Sequence, residues 1–192
     1  MRRLFLTLPA LLISVASAQQ PGKPIAITIV TSRGNIKATL DSVHAPITVA
    51  NFLKYVDGRL FDSSSFFRAV TKANQPDNAV KIEVIQSRRS PTAGTGFPPI
   101  PLERTSLTGL KHRDGTLSMA RSGPDTGSDQ IFICIGDQPE LDFGGKRNAD
   151  GQGFAAFGRV IKGMDIVRKI QNGPVNAQNL VSPITILKIV RR

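Results

Sequence analysis

Gly115-Thr-Leu-Ser-Met-Ala120-Arg121-Ser-Gly123-Pro124-Asp-Thr126, continuing through Ser128-Asp-Gln130-Ile-Phe132-Ile, sets the pattern of this chain. An apolar run at 116–120 meets a cluster of Ser, Gly, Pro and Asp, and a second apolar run follows at 130–135. Runs this short, bounded by turn formers, read as strands. The same punctuation extends outward, with strand-like runs at 66–70 and 80–86 upstream and at 154–160 downstream. At the front, Ile25-Ala-Ile-Thr-Ile-Val30 is β-branched and apolar, Ser32-Arg-Gly-Asn35 turns the chain, and Ile36 to Leu40 returns as its hairpin partner. Pro183-Ile-Thr-Ile-Leu-Lys-Ile-Val190 supplies a last strand. Two segments break the pattern. Thr48 to Val56 places Val49, Phe52, Leu53 and Val56 at helical spacing, with Pro46 before it and Asp57-Gly58 after it. Gly163 to Ile170 repeats that spacing through Met164, Ile166, Val167 and Ile170. Many short strands with one early and one late helix predict an all-β, mainly β, sandwich or barrel rather than a βαβ fold.

The ends and the composition narrow the function. Met1-Arg2-Arg3, an apolar stretch from Leu4 to Val15, and Ala16-Ser17-Ala18 have the three parts of a cleavable secretory signal over residues 1–18. A short polar lead at 19–24 and one domain at 25–192 then follow, and a periplasmic or secreted destination is expected. The formal charge is +11. Its basic residues come as scattered pairs, such as Arg88-Arg89, Lys146-Arg147 and Arg191-Arg192, without interleaved aromatics. That pattern argues against nucleic acid and for a solvated basic surface with weak attraction to anionic envelope lipid. The single cysteine, Cys134, lies in an apolar run and reads as buried and inert. The two histidines, His44 and His112, sit in turn-like polar context and are assigned surface or turn roles rather than metal ligation. Neither has an identifiable aspartate to orient it, so Ser63-Ser64-Ser65 lacks a base. The glycines at 144–145 and 151–153 do not sit between a strand and a helix, which removes the phosphate-cradling reading. No metal and no cofactor is expected.

Taken in order, four fragments resemble the cyclophilins, a barrel-shaped family of peptidyl-prolyl isomerases. They are Ala45-Pro46 through Asn51-Phe52, Ser65-Phe66-Phe67-Arg68-Ala69-Val70, the 115–133 stretch quoted above, and Phe154-Ala-Ala-Phe157-Gly158-Arg-Val160 with Gly163-Met164. The resemblance runs from about Ile25 to Val190 and implies a closed eight-stranded antiparallel barrel capped by two α-helices, with its peptide groove outside. It implies Arg68 as the catalytic residue and Gln86 as the residue orienting the substrate backbone. Phe132, Leu141 and either Met119 or Val84 would line the proline pocket. Ala120, Arg121 and Gln130 would lie along the groove, and Phe66 and Phe154 join the substrate-binding set. The implied partners are Pro-containing segments of unfolded or partly folded exported proteins, bound by a monomer.

Departures from the family pattern accompany the likeness. Arg68 and Gln86 are 18 positions apart, so a segment near Thr71 to Lys81 looks inserted. Its Asn74-Gln-Pro-Asp-Asn78 core predicts a surface loop between two barrel strands. The pocket positions just before the glutamine become Glu83 and Val84, and Phe154 stands where a histidine is frequent. These changes leave one alternative to an active isomerase: a catalytically weak binding module for Pro-containing peptides.

Overall fold

A computed structural model describes residues 24–192; the expected signal at 1–18, and all of the lead except Pro24, lie outside the described residues. The strands are β1 (Ile25–Thr31), β2 (Gly34–Leu40), β3 (Ser64–Val70), β4 (Val84–Arg88), β5 (Thr116–Met119), β6 (Ile131–Cys134), β7 (Ala155–Lys162), β8 (Val175–Asn176) and β9 (Asn179–Arg191). Their order in space is β1-β2-β7-β5-β6-β4-β3-β9, and a β1–β9 pairing closes the ring. Every pairing is antiparallel. The result is an eight-stranded barrel, on which two-residue β8 hangs from β9 as a short ribbon. Closure removes every free edge except at that ribbon.

Helices α1 (Pro46–Asp57) and α3 (Met164–Gln171) form where the apolar spacing places them. Helix α1 has proline in its first turn and no side-chain cap of its own. The Glu103 carboxylate instead accepts hydrogen bonds from the free N–H groups of Ile47 (3.0 Å) and Thr48 (2.7 Å). A third helix, α2 (Thr105–Thr108), was not expected. It is a single turn, too short to carry a periodic signal.

The barrel is filled. Phe52 lies 5.2 Å from Phe61 and 5.3 Å from Phe157, ring centre to ring centre, and Ile29, Ile36, Ile85, Leu117 and Ile186 pack around them, all buried. A ligand therefore has to bind outside, and the outer wall carries a second apolar cluster of Val70, Ile82, Val84, Phe132, Cys134 and Leu141.

A bulge in β3 decides which side chains reach that wall. The register of β3 slips between Phe66 and Arg68 against both β4 and β9. Simple alternation would put residues 66 and 68 on one face. The extra residue, Phe67, breaks it, so Phe66 and Ala69 enter the interior while Arg68 and Val70 face outward. Phe66 is completely buried inside the barrel and is not part of the groove. Met119 is corrected likewise. With Leu117 it belongs to the interior cluster, and Ser118 between them faces the outer wall opposite Phe132.

Candidate active site

Strand pairing brings Arg68 directly opposite Gln86, although the two are far apart in sequence. Arg68 Nη1 donates to Gln86 Oε1 at 2.7 Å, and Arg68 Nε donates to Gln178 Oε1 at 2.9 Å, with Nη2 donating to the same oxygen. Gln86 Nε2 in turn donates to Gln130 Oε1 at 2.9 Å. The guanidinium is thus oriented from both sides, by Gln86 from β4 and by Gln178 from the turn between β8 and β9. A guanidinium has five N–H bonds in a planar fork. Three are committed among the described residues, which leaves two to face a ligand. Burial, and secondarily the charge of Arg147, lower the arginine's pKa from its ordinary value. That makes it a stronger donor while leaving it protonated at neutral pH.

Beside Arg68 lies a cavity of about 220 Å³ walled by Ile82, Val84, Ala120, Phe132, Leu141 and Phe154, with Gln86, Arg121, Arg147 and Asn148 at its edges. Phe132 forms the apolar wall, meeting the edge of Phe154 at 5.3 Å and 88°. A more polar hollow of about 280 Å³ continues from it along Gln86, Ala120, Arg121 and Gln130. Of the residues expected at the site, the fold therefore brings together Arg68, Gln86, Val84, Ala120, Arg121, Gln130, Phe132, Leu141 and Phe154. Arg121 is present in a different capacity. Its side chain is buried, it grips Asp150 through two hydrogen bonds (2.7 and 2.9 Å), and its Nε donates to the Gly153 carbonyl. That pairing holds the Asp150 carboxyl down at about 2. With its guanidinium 5.1 Å from the centre of the Phe154 ring and its charge paired with Asp150, Arg121 shapes the pocket wall.

Glu83 does not enter the cavity. It faces Lys72 at 3.8 Å, and Ile82 supplies the apolar surface instead. His112 is also corrected, being buried rather than at the surface. Its Nδ1 is 2.8 Å from Asp142 Oδ1 and its Nε2 is 2.8 Å from Ser118 Oγ. His44 likewise has an aspartate, Asp41, at 2.8 Å, but in an exposed turn. The serine, histidine and aspartate are in the order of a hydrolytic relay, yet Ser118 is fully enclosed and no substrate carbonyl can approach it. The imidazole lies nearly parallel to Phe132, 6.0 Å between ring centres and 15° apart. Its role is to brace the pocket wall from behind.

Cys134 lies buried beneath that wall, and burial pushes its thiol well above the ordinary value. A protonated thiol is a poor nucleophile. Replacing Cys134 by serine is therefore expected to leave turnover within about twofold, with a stability loss of about 1–3 kcal/mol from the buried hydroxyl. Peptide turnover and thermal unfolding of the variant check both. Inactivity in folded Cys134→Ser would require a covalent step.

The cyclophilin-type peptidyl-prolyl cis-trans isomerase family profile, which includes the cyclophilin-like domains, matches residues 26–191. The chain is 32% identical over 145 residues to peptidyl-prolyl cis-trans isomerase A of Dickeya dadantii, covering 75% of this chain and 70% of that protein. It is 30% identical over 181 residues to a peptidyl-prolyl cis-trans isomerase of Acinetobacter baylyi, covering 94% and 87%. The crystal structure of a Cryptosporidium parvum cyclophilin-type isomerase superposes with a TM-score of 0.70 at 23% identity, covering 88% of this chain and 98% of that one. The barrel, the arginine held over an apolar slot and these likenesses agree: the chain belongs to the cyclophilin-type peptidyl-prolyl cis-trans isomerases.

Proposed function

We propose that this isomerase acts, as a monomer, on X-Pro bonds of exported proteins and so assists their folding outside the cytoplasm. Rotation about such a bond is opposed by a barrier of about 18–20 kcal/mol, because the amide C–N bond has double-bond character. Uncatalysed exchange takes tens to hundreds of seconds, slow enough to limit folding. In the twisted state the nitrogen recovers its lone pair and can accept a hydrogen bond. A fixed guanidinium beside an apolar slot favours that state over the planar one. The observation that carries the reading is Arg68, held by Gln86 and Gln178 at the mouth of the Phe132 pocket, with two donors that have no partner among the described residues. In this mechanism the pyrrolidine ring sits against Phe132, Val84 and Leu141, while Gln86, Ala120 and Gln130 orient the peptide backbone. No bond is made or broken. Exchange spectroscopy on an Ala-Pro peptide, with wild type beside Arg68→Ala, tests it; a mere binding module would hold the peptide without accelerating exchange in either protein.

The exported setting rests on the signal-like segment at 1–18. Mature protein recovered from the cell envelope is expected to begin at or near Gln19 by N-terminal sequencing. An intact Met1 on an integral membrane species would overturn it. The scattered basic pairs support weak attraction of the same mature protein to anionic lipid.

A further inference from the structure

The inserted segment is tied into the site rather than lying free. It leaves β3 through a short 3-10 turn at Lys72–Asn74, and its Gln75 is 1% exposed. Gln75 Nε2 donates to the carbonyls of Thr71 (2.6 Å) and Ile82 (2.8 Å), and Gln75 Oε1 accepts from the Ile82 N–H (3.3 Å). The same Oε1 accepts from Arg147 Nη1 at 2.9 Å, and the Val80 carbonyl accepts from that nitrogen at 2.6 Å. Arg147 comes from the loop joining Leu141 to Phe154, which is pinned at its neck by Phe154 N–H to the Leu141 carbonyl (2.9 Å). The Arg147 N–H itself donates to the Glu140 carbonyl at 3.2 Å. At the loop's end Gly153 has φ +65°, and a Cβ there would stand 2.5 Å from the Asp142 carbonyl carbon, so only glycine closes it. Insertion and loop together hold one half-buried guanidinium at the rim of the proline pocket.

The charges around that pocket do not balance. Its lining holds Arg68, Arg121 and Arg147 and no carboxylate. Arg121 is neutralised by Asp150, whereas neither Arg68 nor Arg147 has an acidic partner within 4.0 Å among the described residues. Burial lowers the pKa of both, and Arg68 feels the charge of Arg147 as well. Nε and Nη2 of Arg147 have no partner among the described residues, because only Nη1 is tied to the insertion. Holding two like charges at one partly desolvated cavity is unfavourable unless a ligand brings the opposite charge. Stabilising a twisted amide needs only one of these cations.

We infer that Arg147 is a specificity-determining residue that selects substrates carrying a carboxylate next to the isomerised proline, and that the insertion at 71–81 exists to hold it there. The inference rests on the isomerase reading and names the substrates of that same site. Its ligand is an Asp or Glu side chain directly before or after the proline, or the free carboxylate of a C-terminal proline. An exposed Lys146-Arg147 pair would show no such preference, since a solvated surface charge contributes little to binding.

Matched peptides differing only in Glu, Gln or Lys before or after the proline, together with a C-terminal proline as free acid or amide, separate these sources. Turnover is read by exchange spectroscopy in wild type and Arg147→Gln. In wild type, at least one carboxylate-bearing peptide is expected to exceed its neutral match in kcat/KM by about tenfold, equivalent to about 1.4 kcal/mol. The lysine peptide should be the slowest of its set, and added salt should shrink the preference. Arg147→Gln should bring the acidic-to-neutral ratio to about one, with its folding checked by thermal unfolding. Gln75→Leu, which keeps the charge but loses its anchor, should lie between. Equal wild-type rates for acidic and neutral peptides in all three sets overturn the inference while leaving the isomerase intact. So does a ratio that survives in Arg147→Gln. Absence of turnover on every peptide overturns the isomerase reading and this inference with it.

Discussion

Replacing Arg68 by alanine is expected to lower kcat/KM on an X-Pro peptide by about 10²–10³ while the barrel stays folded, the usual consequence of removing one fixed donor to developing charge. The donor is fixed because Gln86 and Gln178 grip three of its N–H bonds. Alanine leaves nothing that can reach the amide nitrogen. Stability should change little. Arg68 faces outward from the β3 bulge, and both burial and Arg147 disfavour its charge, so its loss relieves an unfavourable arrangement. The two glutamine oxygens it leaves behind are only partly buried and can turn to water. Arg68→Lys should recover part of the rate, since a point charge reaches the site without the planar fork that both glutamines fit. Exchange spectroscopy gives the rates and thermal unfolding the fold control. Full activity in a folded Arg68→Ala protein would sink the mechanism.

Where local pattern governs structure, the sequence was readable. The eight barrel strands and the helices at Pro46–Asp57 and Met164–Gln171 lie where alternation, helical spacing, proline and glycine put them. The run at 80–86 is the instructive exception. Its strand starts only at Val84, because Val80 and Ile82 bond to Arg147 and Gln75 instead of a neighbouring strand. Phe66 and Met119 were misplaced for different reasons. The resemblance set Phe66 beside Arg68 in the substrate-binding set, and a bulge that turns the two to opposite faces has no signature in the local sequence. Met119 obeys alternation, but nothing local says which face of a four-residue strand is inside. Gln178 and Arg147 were missed because each reaches the site across the fold: Gln178 is 110 positions from Arg68, and Arg147 is 72 from Gln75. Arg147 was even assigned to a solvated pair. The one available hint was the insertion itself, since a polar segment added beside a pocket needs something to hold. His112 was similarly legible only after folding, when Asp142 and Ser118 arrived on either side of the ring.

Phe132→Ala should damage both stability and activity, by a route distinct from Arg68. Phe132 is 5% exposed, and its ring is held between the edge of Phe154 and the parallel face of His112. Truncating a buried phenylalanine removes its transfer energy and leaves a cavity, a loss of about 3–5 kcal/mol. In a domain of this size each kcal/mol lowers Tm by about 2–4 °C, so a fall on the order of 10 °C is expected by calorimetry. The kinetic signature should also differ. In the proposed mechanism Arg68 acts on the twisted state, so its loss should appear mainly in kcat, whereas Phe132 would contact the proline ring equally in planar and twisted states. Its loss should therefore appear mainly in KM. Phe132→Leu refills much of the volume and should restore most of the stability and part of the affinity, because a branched aliphatic chain covers the ring but cannot stack on His112. If folded Phe132→Ala keeps the wild-type KM, the proline binds elsewhere. The pocket between Leu141 and Val84 would then be only a packing feature of the barrel wall.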